Sequence, residues 1–176
     1  ARLVPPGRYV TEGFPVSPAA PAPSTPPPEW TFSVRRGGST LKSWTWQDIQ
    51  DLPAGAETVD IHCATRWSKR GTRWRGVSVD TLLSQVEHDE QYVVAFCDGG
   101  YRASLAMADI TGGRAWLAFC REGGVLDAEH GGPPRLDAPR LYFRKTAKWV
   151  RGLELMDHDA LGCQETCGHR IDGIRD

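Results

Sequence analysis

The apolar residues of this chain come in short runs closed by turn-forming residues, and that pattern limits what it can fold into. "QYVVAFC" runs into the turn "DGGY", and "RAWLAFC" into "REGG". Runs of this length, rich in β-branched and aromatic residues and bounded by glycine, read as strands. Trp30–Val34, Thr58–Ile61 and "KWVRGLELM" read the same way. Helical signals are few. "SWTWQDIQDLP" predicts one short helix stopped by Pro53. Ser78 is placed to cap a second, "VDTLLSQV", in which Val79, Leu82, Leu83 and Val86 recur at helical spacing. Strands outnumber helices and do not alternate regularly with them. The expected class is therefore α+β, with mostly antiparallel or mixed sheets and short helices, rather than a doubly wound parallel sheet.

At 176 residues the chain suffices for one domain with a real core. A formal net charge of -1 removes the polycationic signature of nucleic-acid binders. The five cysteines are odd in number and scattered, which argues against a complete disulfide framework and for a reducing, cytoplasmic setting. A leader removed ahead of Ala1 is compatible with the same sequence. No run approaches the roughly 18 apolar residues of a membrane span. Residues 15–28, "PVSPAAPAPSTPPP", hold seven prolines in fourteen positions and must be extended. Such a stretch is a linker or a strap over the domain, and its apolar flanks "YVTEGFPV" and "EWTFSV" favour the strap. The expected organisation is a strap over residues 1–29, a core domain over 30–161 and a tail of the same domain over 162–176.

The chemistry is concentrated where the Thr58–Ile61 strand pattern stops at Cys63. Arg66, Lys69, Arg70, Arg73 and Arg75 follow, interleaved with Trp67 and Trp74, and no acid lies between Asp60 and Asp80. A free cysteine by itself is most often a small buried hydrophobe. Neighbouring cations favour thiolate over thiol, and thiolate is both the nucleophile and the soft metal ligand. His62 is a poor base for it, because adjacent strand residues point to opposite faces. Metal ligation is the better active reading. The loop "EHGGPPR" carries His130 and Arg135 and reads either as a decorated turn or as a backbone-rich anion or cofactor cradle. The acid-free run Arg140–Arg151, with Lys145 and Lys148, reads as a solvated strand face or a phosphate-binding edge. In the tail, "CQETCGH" lacks the C-x-x-C-H spacing of haem attachment. Cys163, Cys167 and His169 offer three zinc ligands, with no second pair of the usual kind to close a tetrahedron.

Taken together, "WTWQDIQDLP", "VDIHCATRWSKRGTRWRGVSVDTLL", "FCDGGYRASL", "GGRAWLAF", "EHGGPPRL" and "LYFRKTAKWVRGLELMDHD" resemble the molybdopterin domain of the sulfite oxidase family. The resemblance is greatest to the stand-alone sulfite oxidase-like oxidoreductases of prokaryotes. It runs in family order from about Phe14 to Asp159. It implies a sulfite oxidase-type molybdopterin-domain fold and a molybdenum–molybdopterin cofactor. Cys63 then stands where the family has its single protein ligand of molybdenum. His130 and Arg135 match the pterin-holding pair, and Thr146, Ala147 and Lys148 match the stretch that grips the pterin and its phosphate. The N-terminal arm that touches the cofactor falls on Thr11, Gly13 and Phe14, and Asp98 and Ser104 stand at further pterin or pocket positions. Arg66 and Arg102, with Arg73, are placed to attract an anion or orient an S=O group. The chain departs from the group at "DGGYRAS" and in the tail, where "GCQETCGHR" replaces an aromatic-rich segment.

The resemblance implies an oxidoreductase that moves an oxygen atom and two electrons, acting on a sulfur oxyanion or a sulfoxide. Its electrons would pass to or from an external carrier, a cytochrome or quinone-linked partner, with no role for nucleic acid and no membrane span. The rival reading is a basic-aromatic module for anions or nucleic acid, in which Arg and Trp interleave for stacking and Cys63 is structural.

Overall fold

The computed structural model describes residues 4, 6–16, 27–63, 66–132, 134–141 and 146–160. Most of the proline-rich stretch and all of the tail, including Cys163, Cys167 and His169, lie outside these. Among the described residues, two sheets and three short helices make up the domain.

One sheet is a meander built around a late strand. Strands β2 (Thr31–Arg36) and β3 (Ser39–Thr45) form a hairpin. Its two-residue turn is Gly37–Gly38, at φ 56° and 80°, the left-handed conformation that such tight turns require. Strands β6 (Tyr92–Cys97) and β7 (Arg102–Ala106) form another, closed by a 3₁₀ turn over Asp98–Gly100. Strand β11 (Val150–Met156) joins the two, parallel to β2 and antiparallel to β6. The order is β3-β2-β11-β6-β7.

The second sheet is organised by β5 (Trp67–Ser78), a strand of 12 residues. Strand β4 (Gly55–His62) covers one of its edges. The other edge pairs with β1 (Tyr9–Val10) at Trp67–Ser68 and with β8 (Trp116–Arg121) from Trp74 to Ser78. Strands β9 (Gly124–Val125) and β10 (Arg135–Asp137) complete it against β8. The basic stretch after Cys63 is thus a strand, which its charge concealed. Thr72, Trp74 and Gly76 are buried while Arg73 and Arg75 are exposed, an alternation of period two. A bulge between the Val59 and Ile61 pairings re-phases it near Arg70–Gly71.

Helix α1 (Trp46–Asp51) starts later than the sequence predicts, because Ser43–Thr45 finish β3. Thr45 is the cap: its hydroxyl accepts from the Asp48 amide at 3.2 Å, and the Asp48 carboxylate accepts from the Thr45 amide at 2.7 Å. It ends before Leu52, whose conformation Pro53 restricts. Helix α2 (Val79–Leu83) has the expected Ser78 cap but stops short of Val86. Helix α3 (Met107–Ile110) follows β7.

The main core joins Phe32, Val34, Val93 and Leu153 of one sheet to Val77, Leu117 and Leu136 of the other. Gly76 and Ala118 alternate with Val77 and Leu117, so they belong to the opposite face of the second sheet. On that face lies a smaller buried cluster: Ile61, Cys63, Trp67, Trp74, Ala118 and Leu126, with Phe14 and Val59 against it.

Candidate cofactor site

Cys63 is the first residue past β4, at the turn end of the β4–β5 hairpin. Its amide donates to the Trp67 carbonyl at 2.9 Å, and its carbonyl accepts from the Arg66 amide at 3.2 Å. The Arg8 guanidinium donates to the same carbonyl. Arg66 sits at φ 70°, a left-handed conformation uncommon outside glycine, and closes the turn. These bonds fix the backbone, and the small cluster buries the residue to 8% exposure. The His62 ring instead pairs with Ser68 Oγ at 2.8 Å, through Nδ1, on the other side of the strand.

Phe14 is the hub of the site. The N-terminal arm reaches it by running along β5: the Tyr9 amide donates to Arg66, and the Thr11 amide to Ser68 at 2.8 Å. Lys69 Nζ donates to the Glu12 carbonyl at 2.9 Å. Gly13 follows, and the Phe14 ring then meets Trp67, Trp74 and His130 edge-on, at centroid distances of 5.4, 5.9 and 5.2 Å. The Arg121 guanidinium lies over the same ring, 4.4 Å from its centroid.

His130 comes from a 3₁₀ turn, Ala128–His130, capped by Asp127. The Asp127 carboxylate accepts from the His130 amide at 2.8 Å and lies 2.6 Å from Nδ1. Nε2 lies 3.2 Å from the Phe14 carbonyl, so the imidazole ties the arm to this loop. Burial raises the Asp127 carboxyl, but bonds from His130 and the charges of His130 and Arg121 outweigh it and hold the group below its ordinary range.

Arg135 is 1% exposed. It donates to the His130 carbonyl at 3.0 Å and to Thr146 Oγ1 at 2.7 Å, and its guanidinium lies 5.6 Å from the Trp74 ring centroid. Ala147 exchanges two backbone bonds with Leu136, at 2.9 and 3.1 Å, which clips the Thr146–Lys148 segment to β10. Lys148 Nζ donates to the Glu129 carbonyl at 3.0 Å. Desolvation is the largest influence on Arg135 and lowers it to about 10; Asp137 and Cys63 oppose this, and Arg121 adds to it. Lys148 is lowered first by desolvation and then by the charge of Arg135, against the opposing influence of Cys63 and Asp127. Arg121, Arg135 and Lys148 therefore share one field beside Cys63.

Cys63, Phe14, His130, Arg135, Thr146, Ala147 and Lys148 are brought together. Asp98 is linked to the same region: its amide donates to the Trp149 carbonyl at 3.0 Å, and the Trp149 amide donates to Gly131 at 2.9 Å. Its carboxylate meets Arg151 at 3.5 Å. Ser104 and Arg102 belong to β7, the outer strand of the other sheet. Ser104 donates to Asp159 Oδ1 at 2.6 Å, and Arg102 is exposed opposite Phe96. Arg8, Asp127 and Arg121 escape sequence reasoning. Arg121 closes the apolar run of β8, and only its strand pairing with Trp74 shows which face it takes.

The residues fit a large anionic metal cofactor. A buried thiol offers one soft ligand. Trp74 Nε1 and Arg121 Nη1 are buried with no hydrogen-bond partner among the described residues, which leaves donors for an anion. Trp67 and Trp74, at 4% and 3% exposure, are not stacking platforms for bases.

A sheet pair carrying a buried thiol amid converging cations defines a cofactor-binding domain. The family model of the oxidoreductase molybdopterin binding domain matches residues 19–164. The "Uncharacterized oxidoreductase YuiH" of Bacillus subtilis is 30% identical over 173 residues, 97% of this chain and 87% of that protein. The "Putative protein-methionine-sulfoxide reductase subunit YedZ1" of Azospira oryzae is 29% identical over 117 residues, 65% of this chain and 44% of that protein. The sulfane dehydrogenase SoxCD of Paracoccus pantotrophus has the same fold, with a TM-score of 0.68 and 22% identity over 79% of this chain and 41% of that one. The chain belongs to the oxidoreductase molybdopterin-binding family. It is an enzyme of the sulfite oxidase type, and its cofactor is molybdenum with molybdopterin.

Proposed function

We propose that the domain moves an oxygen atom and two electrons between the cofactor and a small sulfur compound, a sulfur oxyanion or a sulfoxide. The carrying observation is the placement of Cys63: buried, fixed through its backbone, and sharing a field with Arg135 and Lys148. The names of YedZ1 and SoxCD, a methionine-sulfoxide reductase subunit and a sulfane dehydrogenase, support a sulfur substrate.

In this reading Cys63 is the single protein ligand of molybdenum. When bound, the group supplies a two-electron couple and an exchangeable oxygen atom. The chain's residues position it. Arg135, Thr146, Ala147 and Lys148 hold the pterin and its phosphate. His130 and the arm at Thr11, Gly13 and Phe14 close over it, with Asp98 and Ser104 supporting the pocket. Arg66, exposed beside Cys63, and Arg102 draw in an anionic substrate. Electrons pass to or from a separate carrier, a cytochrome or quinone-linked protein. A reducing, cytoplasmic setting is proposed for it from the odd number and scatter of its five cysteines. No helix among the described residues is long and apolar enough to cross a membrane. Residues 1–29 are proposed as the strap of this single domain and 162–176 as its tail.

The test is elemental analysis of the purified protein, followed by Cys63→Ser. Wild type should carry close to one molybdenum per chain, and the variant should keep its fold and much of its pterin while losing turnover. Full oxygen-transfer activity in Cys63→Ser would exclude this role.

A further inference from the structure

Arg121 is not among the residues assigned above, yet it is aimed at the same place. It is the last residue of β8 and pairs with Trp74 of β5, and cross-strand partners project on the same face. That face carries the small cluster with Cys63. The guanidinium lies 4.4 Å from the centre of the Phe14 ring, whose edge contacts include His130 at 5.2 Å. Its Nη1 is buried and finds no acceptor among the described residues. Beside it the Trp74 indole N–H, on a side chain 3% exposed, is in the same condition. Buried donors are nearly always satisfied, and an unsatisfied charged one costs more than a neutral one. The carboxylate whose charge Arg121 feels is Asp127, and that group is already bonded to the His130 amide and ring. The neighbouring Glu122 carboxylate accepts from the Arg73 amide at 3.1 Å through Oε1, and Nη1 of Arg121 meets neither carboxylate.

We propose that Arg121 is a further anion-binding residue of this site, donating through Nη1 to a phosphate or sulfur oxyanion, with Trp74 Nε1 as a second donor on the same wall. This rests on the cofactor reading above. The oxyanion has two possible sources of like chemistry: the terminal phosphate of the pterin, or a sulfur oxyanion acting as substrate. Aromatic backing by Phe14 holds the guanidinium plane in place, as cation–π contacts do. Arg135 from β10 and Lys148 from the turn before β11 would then grip the same anion, so that three cations surround one multiply charged group.

The experiment uses Arg121→Gln and Arg121→Lys in the full chain as purified, with three readouts. These are molybdenum and pterin per chain, the melting temperature of cofactor-free protein with and without inorganic sulfate, and KM for sulfite against that for dimethyl sulfoxide. For a phosphate ligand, Arg121→Gln should hold at least about fivefold less cofactor than wild type. For a substrate ligand, cofactor content should stay at the wild-type level and KM for sulfite should rise at least about tenfold, with that for the neutral sulfoxide unmoved. In either case the stabilisation by sulfate shrinks in the Gln variant, and Lys recovers part of each effect. Content and both KM values within about twofold of wild type in both variants would overturn the proposal. So would an equal loss on sulfite and sulfoxide at full cofactor content. A wild-type protein with no molybdenum but sulfate stabilisation dependent on Arg121 would sink the cofactor reading and leave the anion site standing.

Discussion

Gly131 is the position where backbone geometry and the site meet most directly, and Gly131→Ala should be costly in a way that can be apportioned. Gly131 has φ 98°, and a Cβ there would lie 2.7 Å from Lys148 Cγ, 2.9 Å from Lys148 Cβ and 3.1 Å from Lys148 Cα. Two costs therefore add. The left-handed backbone costs an L side chain about 1 kcal/mol relative to glycine. The overlap cannot be relieved by swinging a side-chain tip alone, because Cβ and Cα are close to the backbone; forced repacking of this kind costs about 1–3 kcal/mol. The sum, about 2–4 kcal/mol, corresponds to a fall of about 5–12 °C in the melting temperature of a chain of this size. Gly123 is the internal control. It has φ 83° and nothing within 4 Å of its would-be Cβ, so Gly123→Ala carries the backbone cost without the overlap. Thermal or urea unfolding of cofactor-free protein measures both. Moving Lys148 should also lower cofactor content in Gly131→Ala and not in Gly123→Ala. Equal destabilisation by the two substitutions, or unchanged content in Gly131→Ala, would refute the reasoning.

Lys148 is half-buried and repelled by Arg135, so Lys148→Met should leave cofactor-free protein as stable or more so while cutting molybdenum content several-fold; simultaneous loss of both would assign Lys148 a structural role instead. Glu90, 6% exposed, accepts from Arg36 Nη2 at 3.2 Å and from the Asp89 amide at 3.2 Å, and the Arg36 bond chiefly lowers its carboxyl from 4.5 to about 2. Its stabilisation is present above pH 4.5 and is lost as pH falls toward 2. Glu90→Gln should then cost about 1–3 kcal/mol at neutral pH and almost nothing near pH 2, as read by urea midpoints across that range. A gap that stays constant with pH would exclude the ion pair as its origin.

What the sequence revealed depended on whether a residue's role follows from its immediate neighbours. The strands β2, β6, β8 and β11 were legible because apolar runs bounded by glycine have few alternatives. The long β5 was not, because two features mask its alternation: the charged residues of one face outnumber the apolar ones of the other, and the bulge near Gly71 shifts the phase. The α1 start was misplaced because Ser43–Thr45 pair with β2, a long-range contact that local propensity does not contain. In the site, Cys63, His130, Arg135 and Lys148 could be placed through motif resemblance, and the structure gathers them. Arg121 carried no such signal. Its relevance arises from strand pairing with Trp74 and from Phe14, 107 positions away in sequence, laid over it by the N-terminal arm.

The energetics of the gathered cations bear on how the domain is filled. The bonds from Arg135 to the His130 carbonyl and Thr146 Oγ1 satisfy N–H groups with neutral acceptors; they do not neutralise a charge. The Lys148 bond to the Glu129 carbonyl is of the same kind. Desolvation first, and like charge after it, raise the free energy of the folded chain, as the lowered values of Arg135 and Lys148 reflect. Asp137, Asp127 and Cys63 oppose this, yet Arg135 and Lys148 remain lowered. A multiply charged oxyanion would add opposing charge, and would gain from the low dielectric that makes the arrangement costly without it. The stability withheld from the cofactor-free fold thus becomes affinity for the anion. A ligand that binds only the folded state raises its stability by mass action. The melting temperature should therefore respond to cofactor far more strongly than to any single core substitution outside the Phe14 cluster.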